Sequence, residues 1–372
     1  MSRLQTDKGS RGVRRPAPTM VICLSFNRGG MELDTLKLAE LLCGHTQVTL
    51  VCKAGTFLHR EAQVRLGDRV RYLPIVFRSR TFSPAIVVAM ARTFRRDGTR
   101  NAIFFGASEL KSLSLVFRHF RLNVIVRHGT TKTTPKDDWL HRWIYTSISH
   151  HVAISQHLKH NVEKIIPCGK APVHVIYPSF ALEIPAARPT PSQAQVARIV
   201  HVGRVVPGKG QLEAIRACAV LAQAGHGFEL SLIGGLDEPA YAQRVAAAIE
   251  ALPDPAAVKV TGHTSTPRAH IEQADIFLFP SHGEGFGNAL LEALSTGLIA
   301  ITYDNTAFPE LADLGLRFHM AEDRNEQHLS EVLLAVTRDL PGEKERCRAN
   351  MDLIRKKFAP ARELAQWLAL LE

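Results

Sequence analysis

Apolar residues along this chain fall in short blocks separated by stretches of helical periodicity, and that alternation is the signature of a parallel sheet wrapped by helices. The block from Thr19 to Phe26 reads as a first strand, Asn27-Arg28-Gly29-Gly30 as a turn, and Met31 to about Leu42 as a helix. Strands are expected at 47–52, 102–105, 123–126 and 152–155, with helical segments between them. A second series follows: strand 199–203, helix 211–223, strand 228–233, helix 239–251, strands 258–261 and 276–279, helix 287–296 and strand 298–302. The last stretch, 343–371, is helical, with Pro360 as a bend. Pro185, Pro189 and Pro191 among small polar residues mark an interdomain linker at 183–196. The expected organisation is a disordered basic tail (1–17), a first domain (18–182), the linker, a second domain (197–342) and closing helices (343–372). No repeat period emerges.

A length of 372 residues with 45% hydrophobic content allows two domains, each with its own core. No apolar stretch reaches membrane-spanning length, and the basic N-terminus is not followed by a secretory core, so a cytoplasmic protein is expected. The six cysteines show no CxxC pair, and Cys23 and Cys52 lie in apolar runs, which predicts reduced, buried thiols. Seventeen histidines invite a metal reading, but His150-His151 and His157-His160 lack supporting carboxylates and no Asp-x-Asp motif is present; no metal or other cofactor is expected.

Charge changes the picture. Residues 1–180 hold 28 Lys and Arg against 11 Asp and Glu, a net of +17, while residues 181–372 carry a net of −6. The basic half is expected to meet an anionic surface or acceptor. Ala85–Arg96 and Leu113–Arg121 each join an apolar body to a cationic end, the composition of a helix lying on an anionic membrane. The competing account makes both core-packed crossover helices with their cations at the rim. Nucleic acid is not an expected partner, because no aromatic-interleaved basic platform or zinc-finger spacing occurs.

The most informative stretch is Ser281-His282-Gly283-Glu284-Gly285-Phe286-Gly287-Asn288-Ala289-Leu290-Leu291-Glu292. It follows the apolar strand 276–279 and Pro280, so a Gly-rich turn opens a helix at the carboxyl end of a strand, where open α/β sheets bind ligands and helix amides suit phosphate. Asn288 and Glu292 share one helix face and Glu284 projects from the loop before it, so two carboxylates are expected to converge on one pocket. A Gly-rich loop with a capping glutamate is the plainer alternative. The second stretch, Arg198 to Gly210, is a strand followed by a loop holding Arg204 and Lys209, a planar fork and a compact charge placed to clamp a diphosphate, with two solvated surface cations as the alternative. Two further features face the same site. Gly29-Gly30 opens a helix whose amides could address the diphosphate, and a strand ends at His128 in Val124-Ile125-Val126-Arg127-His128-Gly129-Thr130; a tight turn and a structural histidine are the alternatives.

Together, HVGRVVPGKG, EGFGNALLEALSTG and Pro309-Glu310 resemble the retaining glycosyltransferase family 4. That resemblance covers most of the chain and implies the α/β GT-B fold, two Rossmann-like parallel-sheet domains facing a cleft, with the C-terminal segment crossing back to the first. It implies that Arg204 and Lys209 hold the donor diphosphate, that Glu292 binds the nucleotide ribose, that Glu284 sits by the donor sugar, and that His128 contacts that sugar. Gly30, Gly285, Phe286, Gly287 and Asn288 would complete the donor site. Gly29-Gly30-Met31-Glu32-Leu33-Asp34 resembles bacterial members that build lipopolysaccharide cores, with Asp34 toward the acceptor. One departure is the absence of the family's common Asn-Gly after Tyr177-Pro178-Ser179. The implied partners are a nucleotide diphosphate sugar and a saccharide or lipid-linked acceptor. An epimerase or hydrolase on the same fold, or a non-catalytic nucleotide-binding subunit, would share these motifs.

Overall fold

Seven parallel strands make the first sheet: β1 (Thr19–Cys23), β2 (Val48–Lys53), β3 (Arg71–Ile75), β4 (Asn101–Phe105), β5 (Asn123–His128), β6 (His150–Ala153) and β7 (Val173–Val175), in the order β3-β2-β1-β4-β5-β6-β7. The computed structural model describes residues 16–78, 83–106, 109–180, 196–264 and 266–372. The central strands are buried on both faces, which is why they read as continuous apolar runs. Val21, Cys23, Ile103 and Phe105 pack under the helices Gly30–Leu42 and Phe57–Leu66, whereas Met20, Ile22, Ala102 and Phe104 meet the helices Pro84–Asp97 and Leu110–Phe120 on the other face.

The second sheet has six parallel strands, β8 (Val196–Val202), β9 (Gly227–Ile233), β10 (Val258–Gly262), β11 (Ile276–Phe279), β12 (Ile299–Tyr303) and β13 (His319–Ala321). Their order, β10-β9-β8-β11-β12-β13, is that of a dinucleotide-binding sheet, and the chain reverses direction across it between β8 and β11. The loops after these two strands carry Arg204, Lys209 and Glu284. The fold is therefore the two-domain, parallel-sheet GT-B arrangement.

Several elements differ from the sequence reading. The first strand ends at Cys23, and β6 begins two residues earlier than expected. The edge strands β3, β7 and β13, the short helices Pro267–Gln273 and Phe308–Asp313 and the longer helix Glu326–Arg338 were not read. Residues 1–15 of the expected tail and 183–195 of the expected linker lie outside the described residues, but Val196 already belongs to β8. The carbonyls of Pro16 and Ala17 accept from Thr46 Oγ1 at 3.2 and 2.9 Å, so the end of that tail is tied to the domain. Ala85–Arg96 and Leu113–Arg121 are crossover helices: Ile86, Met90 and Phe94, and Leu113, Val116 and Phe117, are core residues rather than a free apolar face. All six cysteines are unpaired, and burial pushes the Cys23 thiol up to about 11.

The closing helices divide between the domains. Ile354 and Phe358 pack with the second domain; Ala359 is extended, and the helix Pro360–Leu371 returns to the first, where Trp367 and Leu371 join Leu36 and Leu42. Pro360, expected as a bend, opens the helix that crosses back, and the helices before it stay with the second domain. A buried ion network fixes this helix. Glu363 lies 3.4 Å from Lys37 Nζ and 3.8 Å from Arg127, accepts from the Ser179 amide at 2.7 Å, and Arg127 forks onto Asp34 at 2.5 and 3.0 Å. Burial pushes the Glu363 pKa up, but the charges of Arg127 and Lys37 outweigh it and hold it below the ordinary value. Glu363 thus stabilises the fold above the unfolded glutamate pKa of about 4.3, and that contribution is lost as pH falls through the lower folded value. Glu363→Gln is expected to cost about 1.5–3 kcal/mol at neutral pH and to flatten the acid limb of Tm against pH. Thermal unfolding across that pH range checks this; an unchanged acid limb would mean Glu363 carries no linked charge.

Candidate active site

The two sheets face each other across a cleft of about 640 Å³ whose walls include Gly30, Asp34, His128, Gly129 and Lys132 from the first domain and Arg204, Lys209, Glu284 and residues 285–289 from the second. Pro280 and the Gly-rich turn lift Glu284 from the end of β11, and its Oε1 accepts from Lys209 Nζ at 2.6 Å and Ser281 Oγ at 2.9 Å. The Glu284 amide donates to Thr306 Oγ1 at 3.0 Å. The opposing loop is fixed from below. Buried His201 contacts the Lys209 carbonyl at 2.8 Å through Nε2, and Gln211 donates to the Arg204 carbonyl at 2.9 Å. Burial lowers the His201 pKa to about 4, so it works as a neutral strut. Arg204 is 65% exposed and only loosely paired, 3.7 Å from Asp237, which leaves its guanidinium available.

The helix Asn288–Ser295 starts at Gly287 with no side-chain cap, so its first amides face the cleft unsatisfied. Gly287 has φ +89°, and a Cβ there would meet Phe308 at 3.0 Å. Gly285 has a different reason. A Cβ on it would stand 2.6 Å from the Gly129 carbonyl oxygen of the other domain, so only glycine lets the domains meet here. Ser155 Oγ donates to the Gly285 carbonyl at 2.6 Å across the same seam. Glu310 reaches over from the second domain to accept from the amides of Gln156 (2.7 Å) and His157 (3.2 Å) and from Tyr177 (2.7 Å), capping the helix Gln156–Ile165. Phe286 is buried between Tyr177 and Phe358, with ring centroids at 5.6 and 5.7 Å, so it anchors the crossover and offers a ligand only its backbone.

Glu292 departs from the expected convergence. It lines a neighbouring cavity of about 1060 Å³, with Lys37, Glu40, Arg65, Phe180 and Leu364; Gly30, Asp34, Pro178 and Asn288 are shared between the two. Burial raises the Glu292 pKa, partly offset by Arg268.

His128 lies at the cleft, but both ring nitrogens are committed. Lys132 Nζ donates to Nδ1 at 3.1 Å, leaving Nε2–H to donate to Nδ1 of His151 at 2.9 Å. Burial, with Lys132 and His151 adding, drives its pKa well below the ordinary histidine value, so the ring is neutral. The cationic group presented here is Lys132, which sequence reading did not single out; its signal was a lysine four residues beyond a strand end already marked as a site. Ser281, Thr306, His201 and Gln211 were also missed, since their roles exist only through partners distant in sequence. Among the described residues no group of three or more His, Cys, Asp or Glu side chains could hold a metal ion.

Residues 187–351 match the family described as Glycosyl transferases group 1. A curated relative, the amylovoran biosynthesis glycosyltransferase AmsK of Erwinia amylovora, is 33% identical over 151 residues, 38% of this chain and 36% of the relative. The chain thus spans about a third of the length of that relative. A solved glycosyltransferase from Rickettsia africae superposes with a TM-score of 0.82 at 17% identity, over 96% of this chain and 98% of that one. HepE of Anabaena, solved in complex with UDP and glucose, gives 0.75 at 16% identity, over 96% and 99%. At such identity the two solved structures bear out the fold alone.

Proposed function

We propose that this protein is a retaining glycosyltransferase, moving a sugar from a nucleotide diphosphate sugar to a glycan or lipid-linked acceptor in bacterial cell-surface polysaccharide or lipopolysaccharide synthesis. The observation that carries the reading is the meeting of Arg204, Lys209, Glu284 and the uncapped helix Asn288–Ser295 at one cleft. The match of residues 187–351 and the UDP and glucose held by the structurally similar HepE support the same class. Lys209 is paired with Glu284. Donor binding exchanges that pair: Lys209 and Arg204 turn to the diphosphate, and Glu284 accepts from sugar hydroxyls.

In the transfer step the C1–O bond to the diphosphate breaks, the acceptor oxygen bonds to C1 on the same face, and the acceptor proton passes to the departing phosphate oxygen. Negative charge grows on that phosphate, where preorganised cations and helix amides stabilise it. These groups supply the neutralisation, so the reading includes no metal requirement. His128 acts through Lys132, holding its ammonium at the first-domain wall, and the close domain seam excludes water from the donor. Asp34, shared by both cavities, marks the acceptor side. The acceptor reading places the protein at the cytoplasmic face of a membrane.

The test is incubation of purified protein with a panel of nucleotide sugars, with and without acceptor oligosaccharides and with EDTA, followed by NMR of the product anomeric centre. Retained configuration with acceptor-dependent, EDTA-resistant turnover is expected. Donor hydrolysis or epimerisation alone, or no turnover, would overturn the assignment. We assign Glu292 to the ribose: Glu292→Gln is expected to weaken even free nucleoside diphosphate about tenfold or more by calorimetry. Glu284→Gln should instead lower transfer from intact donor. The reverse pattern would exchange the two roles.

A further inference from the structure

We infer that the short helix Trp139–Tyr145, with the neighbouring outer faces of the helices Pro84–Asp97 and Leu110–Phe120, forms a docking face for an anionic lipid bilayer. The inference deepens the reading of a lipid-linked acceptor by naming where the first domain meets the membrane. It stands on exposed aromatics rather than on the buried apolar bodies of the two longer helices.

The short helix is held by its inner residues. Ile144 and Tyr145 are buried in the first-domain core, with Leu140 packed against it, and Asp138 caps its start by accepting from the His141 amide at 3.0 Å. Trp139 and Trp143, four residues apart on one face, are turned outward instead, 78% and 39% exposed. An indole left as open to water as Trp139, on a firmly packed helix, forgoes burial that no neighbour among the described residues supplies. Its amphipathic ring suits the headgroup level of a bilayer.

Cations surround these rings. The Arg118 guanidinium lies 4.5 Å from the Trp143 ring centroid and also donates to the Trp143 carbonyl and Thr146 Oγ1. One turn before Arg118 stands Leu115, 56% exposed, and on the next helix Val88, 44% exposed, is followed by Arg92 and Arg95. The three helices pack in sequence, Pro84–Asp97 on Leu110–Phe120 and that on Trp139–Tyr145. From residue 84 to 146 the chain carries eleven Lys and Arg against four Asp and Glu; Arg127 is buried against Asp34 and Lys132 lines the cleft, which leaves nine cations at least partly exposed. Of those four, Asp97 is paired with Arg96 and Arg71, Asp138 holds His141, Glu109 is buried, and Asp137 is exposed two residues before Trp139. The face therefore combines outward indoles and aliphatic residues with a net positive rim, the chemistry of an interfacial surface on anionic lipid.

Its position also serves the cleft. The segment linking β5 to this helix passes through Lys132 at the cleft wall before reaching Trp139. A bilayer seated on the tryptophans would present a lipid-linked saccharide to the first-domain side of the cleft.

The test uses the full chain and vesicles of equal parts phosphatidylglycerol and phosphatidylcholine, against pure phosphatidylcholine, with no donor or acceptor present. Binding can therefore fail while transfer succeeds, and the reverse. The chain has three tryptophans, and Trp367 is fully buried, so a shift of emission to shorter wavelength on vesicle addition reports Trp139 and Trp143. Salt-sensitive co-sedimentation with anionic vesicles and that shift are expected. The double variant Trp139→Ala/Trp143→Ala should lose at least about tenfold in partitioning and all of the shift, with transfer to a soluble acceptor unchanged. Arg92→Gln and Arg142→Gln should each cost about fivefold on anionic vesicles, the equivalent of about 1 kcal/mol per surface charge. Wild-type partitioning equal to that of the double variant, or equal on neutral and anionic vesicles, would overturn the proposal. So would lipid-independent self-association that the double variant abolishes, which would assign the face to a second copy of the chain.

Discussion

Lys209→Ala is expected to lower turnover by tens-fold or more while leaving the fold intact, and adding Arg204→Ala should bring the loss beyond a hundredfold. Each cation contributes a charge-assisted contact to the departing diphosphate, worth about 1.5–3 kcal/mol, and each about 1.4 kcal/mol is tenfold in rate. The two act on one group, so their effects need not add. Lys209 is the more telling position, because its removal also leaves the carboxylate of Glu284, 2.6 Å away, facing the incoming diphosphate with Ser281 as its remaining close partner. Steady-state kinetics with a saturating acceptor checks this. Near-normal kcat/KM in both single variants would show that the diphosphate is held elsewhere.

Gly285→Val is expected to lower transfer by about a hundredfold while nucleotide affinity changes little, the size of loss that a misplacement of about 1 Å produces. The first atom of any side chain at 285 would stand 2.6 Å from the Gly129 carbonyl oxygen, and Leu158 crowds the same point at 3.2 Å. Both neighbours belong to the first domain, so relief comes from parting the domains. Parting them also stretches the Ser155 bond to the Gly285 carbonyl and the Glu310 contacts with Gln156 and His157. Nucleotide contacts assigned to the second domain survive, whereas acceptor placement and water exclusion do not. A variant that kept full transfer would show that the seam is not part of the reacting arrangement. A variant that lost nucleotide affinity in equal measure would locate the damage in the donor loop itself.

The parts of this architecture that were legible in sequence are those encoded locally. Ile276–Phe279 reads as a buried strand because both its faces are covered, and the glycines after it mark the turn that delivers Glu284. Arg204 and Lys209 likewise follow a strand within one loop. The missed strands are edges: β3 contains Pro74 and is only partly buried, and β7 and β13 are three residues each, too short for any periodicity. The helix Pro267–Gln273 spans only seven residues. At the site, sequence spacing suggested one pocket for both glutamates, but Glu292 follows Asn288 by one helical turn and that step carries it into the adjoining cavity. Pairings across the fold, such as His128 with His151, or Glu310 with the start of the helix Gln156–Ile165, have no local signature. The basic first half was read correctly as a charge imbalance. Which apolar residues remained outside depended on packing, and these include the two tryptophans rather than the bodies of the longer helices.

The central claim is that a nucleotide diphosphate is gripped at its second phosphate by Arg204 and Lys209. Calorimetric titration of a nucleoside diphosphate and the matching monophosphate into wild-type protein and the Arg204→Ala/Lys209→Ala variant tests it most directly. The account expects the wild type to favour the diphosphate by at least about tenfold, one charge-assisted contact, and the variant to bind both alike. A preference for the diphosphate that persists undiminished in the variant would contradict it.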